Sequence, residues 1–348
     1  MARTRLIGLD IGTSTVRAVE LETTGRGAPP TMVRYGELAL PPGAVQDAEV
    51  AEPETVATAL RQLWRTTGFK SRDVVMGLGT THAVVRELDV PHMPMAQIRA
   101  ALPFEVQDML PMPVEDALLD FYPTNEFDSS TGRTVRGILV AVARTSVQSS
   151  VMAAETAGLK PRVVDLNAFA LLRATRAPER RGEVVAVVDV GARVSTVVVS
   201  AFGVPRLVRV VPSGGQDVTD ALAGHMRISS SEAEGLKREL GVGYQVAPEA
   251  QAGAAAIEEV TRALVESIRN TFVYYNGNNP GSGISVVILT GRGSHLPGFG
   301  QYLSTASRLP VTVGDPLEGV RVPKKLAESL PASSALGVSL GLAQGVAA

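Results

Sequence analysis

The chain has 348 residues, of which 45% are hydrophobic and 20% charged, with a formal net charge of -2; this excludes disorder for most of its length and suggests about two globular domains. The balanced charge leaves no basic footprint for a nucleic-acid backbone, and aromatics at 4% leave little for a base-stacking platform. With no cysteine, disulfides, thiolate metal sites and a cysteine nucleophile are excluded together, which suits a reducing compartment.

The first apolar run opens at Leu6, and Asp10 ends it too early for an export signal. No stretch approaches the ~20 apolar residues of a membrane-spanning helix. Segments 6–10, 16–21 and 32–39 read as three strands. Residues 53–68 read as an amphipathic helix with Val56, Leu60, Leu63 and Trp64 on one face. Strands follow at 73–78 and 84–90, then a helical stretch to Leu110 that Pro103 should start, kink or split. A polar hairpin turn at 128–133 leads into a strand at 135–143, with helices at 146–158 and 166–175. The charged segment 178–182 is the expected midpoint boundary.

The second half again opens with three strands, 184–189, 194–201 and 207–211. Helices are expected at 215–226 and 230–240. The longest runs from about 251 to 275, with Ile257, Val260, Leu264, Ile268 and Phe272 as its buried stripe. A turn-rich stop at 276–281 precedes a strand at 284–289, and the apolar segment 336–348 reads as a packed terminal helix.

The two halves share a plan: an apolar strand, an Asp-x-Gly turn, Ser/Thr residues and a second apolar strand, around Asp10 and again around Asp189. Such turns suit phosphate. Gly12 and Gly191 lack a Cβ, so backbone approaches closely. Backbone N–H groups and the hydroxyls of Thr13, Ser14, Thr15, Ser195 and Thr196 are available to donate to phosphate oxygens. Asp10 and Asp189 fit beside phosphate if Mg2+ lies between, held through water. A third motif, Gly291-Arg292-Gly293-Ser294 after a buried strand, suits packing of a flat ring against backbone. The P-loop, G-x-S-x-G and H-E-x-x-H patterns are absent from the sequence.

In this order the three motifs resemble the phosphate-1, phosphate-2 and adenosine motifs of the actin, sugar-kinase and chaperone superfamily. The resemblance implies an α/β fold of the actin-like, ribonuclease H-like duplicated type, with two lobes and a small inserted α+β subdomain. Residues 164–171 resemble the first connecting motif of the FtsA-like branch. They make Asp165 the catalytic candidate by position, with an N-cap of the following helix as its other reading. Val211-Pro212-Ser213-Gly214-Gly215 and the segment 231–237 resemble that branch too. By this likeness Gly214, Gly215, Glu234 and Lys237 join the nucleotide site, the last two near ribose and base. Arg17 stands where the branch has Lys. Arg292 interrupts a glycine run, where it either crowds the adenine pocket or covers it.

The run from Arg86-Glu87-Leu88-Asp89-Val90-Pro91 through Phe104-Glu105 and Leu110-Pro111-Met112-Pro113 to Asp120-Phe121 resembles the PilM family of type IV pilus assembly proteins. That resemblance implies ATP or ADP with Mg2+ in the cleft and, at most, slow hydrolysis. It also implies docking of the short cytoplasmic tail of a PilN-like single-span membrane protein, with the chain peripheral to the inner membrane. Arg86, Leu88, Met93, Leu102, Phe104 and Met109 are the expected contacts, and Met93, Met95, Leu102, Phe104, Met109 and Met112 are read as exposed apolar residues. The expected organisation is a first lobe at 1–85 and 144–180, a subdomain at 86–143 and a second lobe at 181–348, with 215–283 as its outer part. The rival readings are an FtsA-like membrane-associated filament protein and a small-molecule kinase.

Overall fold

The computed structural model describes residues 4–25, 28–130, 132–176, 179–180 and 182–345. Part of the expected boundary at 178–182 therefore lies outside the described residues, as do residues 346–348 of the expected terminal helix. Strands β1 (Thr4–Ile11), β2 (Thr15–Thr23) and β3 (Thr31–Ala39) form an antiparallel meander. The centres of β1 and β2 are buried on both faces, so they read as apolar runs rather than alternations. A short hairpin, β4 (Val45–Gln46) with β5 (Glu49–Val50), leads to helix α1 (Pro53–Thr67). Proline in its first turn starts α1, and Gly68 at φ 76° ends it by donating to the Trp64 carbonyl. Strand β6 (Asp73–Leu78) then pairs parallel to β1.

The inserted unit follows: β7 (Val84–Pro91), α2 (Met95–Glu105), β8 (Ala117–Ser129) and β9 (Gly132–Ala143). Its sheet has the order β7-β9-β8, all antiparallel. Val90, Ile98, Leu102, Phe121 and Leu139 form its own small core. The opposite face, with Val85, Ile138 and Val142, packs on Leu78 and Leu166. Pro103 lies inside α2, which ends two residues later rather than running to Leu110. Proline supplies no N–H to the ladder, and the chain tightens into a 3-10 turn at Gln107–Met109.

Helix α3 (Arg144–Thr156), strand β10 (Lys160–Leu166) and helix α4 (Asn167–Ala174) complete the first sheet, of order β10-β6-β1-β2-β3. The second half gives β11 (Val184–Val190), β12 (Ser195–Ala201), β13 (Val204–Val211), α5 (Gly215–Met226), α6 (Ser230–Leu240) and α7 (Gln251–Asn278). It continues with β14 (Val286–Thr290), α8 (Phe299–Ser307), β15 (Val311–Val313), α9 (Lys324–Ala327) and α10 (Gly337–Ala343). Its sheet, β13-β12-β11-β14-β15, matches the first strand for strand, with the same parallel and antiparallel pairings. Helix α7 passes the expected stop at 276 because Asn278 and Asn279 donate their side-chain amides to the Tyr274 and Tyr275 carbonyls.

Helices α1 and α3 cover one face of the first sheet. Helices α4 and α10 fill the space between the two sheets, where Leu171, Leu172 and Leu342 meet Val185, Val187 and Ile288. Small residues permit this close contact. A Cβ on Gly341 would lie 1.9 Å from the Ala170 carbonyl oxygen. Gly341→Ala is expected to wedge α10 off α4 and cost about 1–3 kcal/mol by overpacking. The midpoint of denaturant unfolding reads this, and an unchanged midpoint overturns it.

Candidate functional site

Each sheet ends its first strand at a common cleft. Asp10 and Asp189 are the penultimate residues of β1 and β11, and each strand turns at once into its antiparallel partner. The two turns are built alike: Gly12 N–H donates to the Thr15 carbonyl at 2.9 Å, and Gly191 N–H to the Val194 carbonyl at 3.0 Å. They face each other across a cleft of about 960 Å³ between the lobes.

The second turn is braced by backbone packing that tolerates only glycine. Gly215 N–H donates to the Gly191 carbonyl at 2.9 Å, seating the start of α5 on the turn. A Cβ on Gly214 would fall 2.6 Å from the Gly191 and Ala192 carbonyl oxygens. Gly291, at φ 83°, and Gly293 press the β14–α8 turn onto Val190 in the same way. Three backbone segments thus meet at one end of the cleft and leave a floor of amides and small residues.

Asp10, Gly12, Thr13, Ser14, Thr15 and Arg17 line the cleft from the first lobe. Asp189, Gly191, Thr196, Gly214 and Gly215 line it from the second. Glu234, Lys237, Gly291, Arg292 and Gly293 complete the second-lobe wall. Among the described residues the Thr13, Ser14 and Thr15 hydroxyls make no hydrogen bond to protein and are free for a ligand. Ser195 and Ser294 differ. The Ser195 hydroxyl donates to the Ser213 carbonyl at 2.7 Å, and the Ser294 hydroxyl to the Gly291 carbonyl at 2.7 Å. Both side chains brace the wall rather than line it.

Lys237 is buried and fully engaged. Its ammonium donates to the Gly215 carbonyl at 3.0 Å and the Thr219 hydroxyl at 2.8 Å, and it pairs with Glu234 at 2.5 Å. Burial would push the Glu234 carboxyl up, but the bonds from Lys237 and Thr219 hold it below the usual carboxylate range. Helices α5 and α6 are so joined at the far wall of the cleft.

Asp165 is not among the lining residues. Its carboxylate takes a 2.5 Å bond from Arg173, which also donates to the Gly341 carbonyl and so ties β10 to α4 and α10. Nor does it cap the next helix: Leu166 holds the N-cap position, without a side-chain cap bond. Asn167, passed over in the sequence, does line the cleft, and its Oδ1 is buried with no hydrogen-bond partner.

Burial acts on both aspartates, and Asp189 also feels the charge of Asp10. Burial pushes the Asp10 carboxyl up, and the Arg17 guanidinium at 3.4 Å opposes it. Burial pushes Asp189 up to about 6; the Thr290 hydroxyl offsets part of this, while the charge of Asp10 adds to it. A carboxyl with a raised folded value stabilises the fold fully below its unfolded value of 3.8, and loses that contribution as pH rises through about 6. At neutral pH its ionised form is therefore a destabilising element. Asp189→Asn is expected to stabilise the ligand-free protein by about 1–3 kcal/mol near pH 7.5 and by much less near pH 4. Denaturation midpoints at both pH values test this, and an equal gain at both overturns it. The same charge pair is one that a divalent cation would relieve.

In the inserted unit, Phe104 is 79% exposed and Arg86 is exposed. Met93, Met95, Met109 and Met112 are half-buried, as is Leu88. Leu102 corrects the expectation of exposure: at 1% it lies in the small core, because it follows Ile98 by four residues on the inner face of α2. The unit leans on the second lobe. Arg206 on β13 pairs with Glu87 on β7, and Val204 and Val208 pack on the cluster that holds Val85, Ile138 and Val142.

A family model described as type IV pilus assembly protein PilM matches residues 8–346. The chain is similar to a solved chain of the PilM-PilN type IV pilus biogenesis complex, with a TM-score of 0.84 and 28% identity over 99% of this chain and 98% of that one. It is similar in fold to MreB5 of Spiroplasma citri bound to ADP, with a TM-score of 0.56 and 13% identity over 97% and 94% of the two chains. Cell division protein FtsA of Bacillus subtilis (strain 168) is 23% identical over 261 residues, 68% of this chain and 58% of FtsA. The chain thus spans less than two thirds of that relative's length.

Proposed function

The chain belongs to the type IV pilus assembly protein PilM family and has the actin-like fold, and from that premise we propose that it is a nucleotide-binding adaptor of the pilus assembly platform. In this reading ATP or ADP sits between the lobes. The β1–β2 and β11–β12 turns hold the phosphates, and Glu234 and Lys237 stand beside ribose and base. The observation that carries it is the meeting of two Asp-x-Gly turns, one from each lobe, at a cleft whose Thr13, Ser14 and Thr15 hydroxyls are unengaged. The glycine cradle at Gly214, Gly215 and Gly293 supports it, since it leaves backbone bare for close approach.

The donor set also fits Mg2+. Asp10 and Asp189 are two oxygen donors raised by burial, Asp189 also by the charge of Asp10, which a hard divalent ion would offset through bound water. When bound, the ion neutralises phosphate charge. The chain's own residues position the phosphates, exclude bulk water and fix the lobe angle. Solved relatives of the same fold were crystallised with ADP and with AMPPNP.

The partner in this reading is the cytoplasmic tail of a PilN-like single-span membrane protein, docked on the inserted unit beside the second lobe. The similar solved chain comes from a PilM-PilN complex. No described helix is long and apolar enough to cross a membrane, and in this reading the partner carries the chain to the membrane. Helix α10 is buried along its whole length and offers no face to lipid. Titration calorimetry of nucleotide-stripped protein with ATP and ADP, with and without Mg2+, tests the site. Heat absent for both nucleotides overturns it.

A further inference from the structure

The mouth of the cleft holds an ion-pair row of which the proposed function uses only Asp10. Register places Asp10 opposite Arg17, and Arg17 opposite Glu37, across β1, β2 and β3. The Arg17 guanidinium donates to the Glu37 carboxylate at 2.8 Å and leans on Asp10 at 3.4 Å. From the other lobe Arg292 donates to both Glu37 oxygens, at 2.8 and 2.7 Å. The Tyr35 hydroxyl donates to the same carboxylate at 2.7 Å. One carboxylate thus gathers two guanidiniums, one from each lobe, and both arginines line the cleft.

Two guanidiniums that converge on a carboxylate also suit a phosphate, since the fork geometry and charge are shared. Glu37 sits behind them, outside the lining residues. Burial would push its carboxyl up, but Tyr35, Arg17 and Arg292 outweigh this and hold it ionised. We propose that Glu37 is a resident anion that clasps the lobes through Arg17 and Arg292 and competes with incoming phosphate for them. The inference rests on the reading of the cleft as a polyphosphate site. It also gives Arg292 a role in place of crowding or covering an adenine ring: this residue is turned to Glu37 of the first lobe.

The two ends of one ion pair then have opposite effects. Removing Glu37 frees Arg292 for phosphate and leaves Arg17 with only its 3.4 Å contact to Asp10. Removing Arg292 takes away one of the two guanidiniums. A competitor that holds the arginines about nine-tenths of the time lowers apparent affinity about tenfold. The nucleotide-stripped chain is titrated with inorganic pyrophosphate in excess Mg2+, then separately with ATP, in wild type, Glu37→Gln and Arg292→Gln. Glu37→Gln is expected to bind pyrophosphate about tenfold more tightly than wild type, and Arg292→Gln more weakly. A purely structural strap moves both variants the same way. That result, or no gain in Glu37→Gln, overturns the clasp while wild-type ATP binding preserves the nucleotide reading. If no form binds pyrophosphate or ATP, the polyphosphate reading falls together with the clasp. Glu37→Ala carries the same test should the glutamine variant not fold.

Discussion

Replacing Gly12 with valine is expected to remove measurable ATP binding and leave the fold close to wild-type stability. A Cβ at this position would meet only the Thr15 carbonyl oxygen at 3.1 Å and the Thr15 hydroxyl at 4.0 Å. Gly12 is not among the glycines with positive φ, so a branched residue meets no backbone strain there. The β1–β2 turn therefore needs only a small adjustment. The added methyl groups occupy the surface on which the Thr13, Ser14 and Thr15 donors open. Excluding phosphate from them is expected to cost about 3 kcal/mol or more, which is at least about 100-fold in affinity. Gly214 makes the contrast. Its Cβ would lie 2.6 Å from three backbone atoms, so valine there displaces α5 and damages folding and binding together. Calorimetry on Gly12→Val, with a denaturant curve alongside, separates the two effects. ATP affinity within about threefold of wild type would mean that the phosphates lie elsewhere.

The paired turns were legible because their chemistry is local: Asp, Gly and the hydroxyl residues are neighbours in sequence, and duplication repeats them. The parts that escaped depend on register. Ser195 and Thr196 are adjacent on β12, so their side chains point to opposite faces, and only Thr196 reaches the cleft. Strand alternation was enough to tell them apart. Glu37 carries no such signal. It lies two strands from the turn and becomes part of the site only through the β2–β3 register and a residue from the other lobe. Strand β8 was also hidden, since Pro123, Asp120 and Asp128 depress its β propensity; pairing with β9 along an edge, with an irregularity at Pro123, forms it regardless. Leu102 was the opposite case. The four-residue spacing of Ile98, Leu102 and Val106 already described an inward stripe.

That stripe leaves Phe104 on the outside of the same helix, and Phe104→Asp is expected to separate partner capture from stability. An aromatic ring that is 79% exposed contributes little to folding, and its replacement should shift stability by no more than about 0.5 kcal/mol. If the ring anchors an apolar peptide, burying it on docking is worth about 1.5–3 kcal/mol, and a carboxylate in its place adds a desolvation cost. Capture of a synthetic PilN-type tail peptide should then fall by at least about tenfold. Leu102→Ala, by contrast, empties part of the small core and should cost about 2–5 kcal/mol of stability. A residue that only fills space shows the second pattern; a docking residue shows the first. The unit also rests on β13 of the second lobe through Glu87–Arg206 and the Val204 and Val208 contacts. A lobe movement on nucleotide binding would therefore reach the surface that carries Phe104, and any coupling between nucleotide and tail must be reciprocal. Peptide affinity measured with and without ATP, in wild type and Phe104→Asp, reads both terms. Undiminished capture by Phe104→Asp would place the tail on another face of the unit.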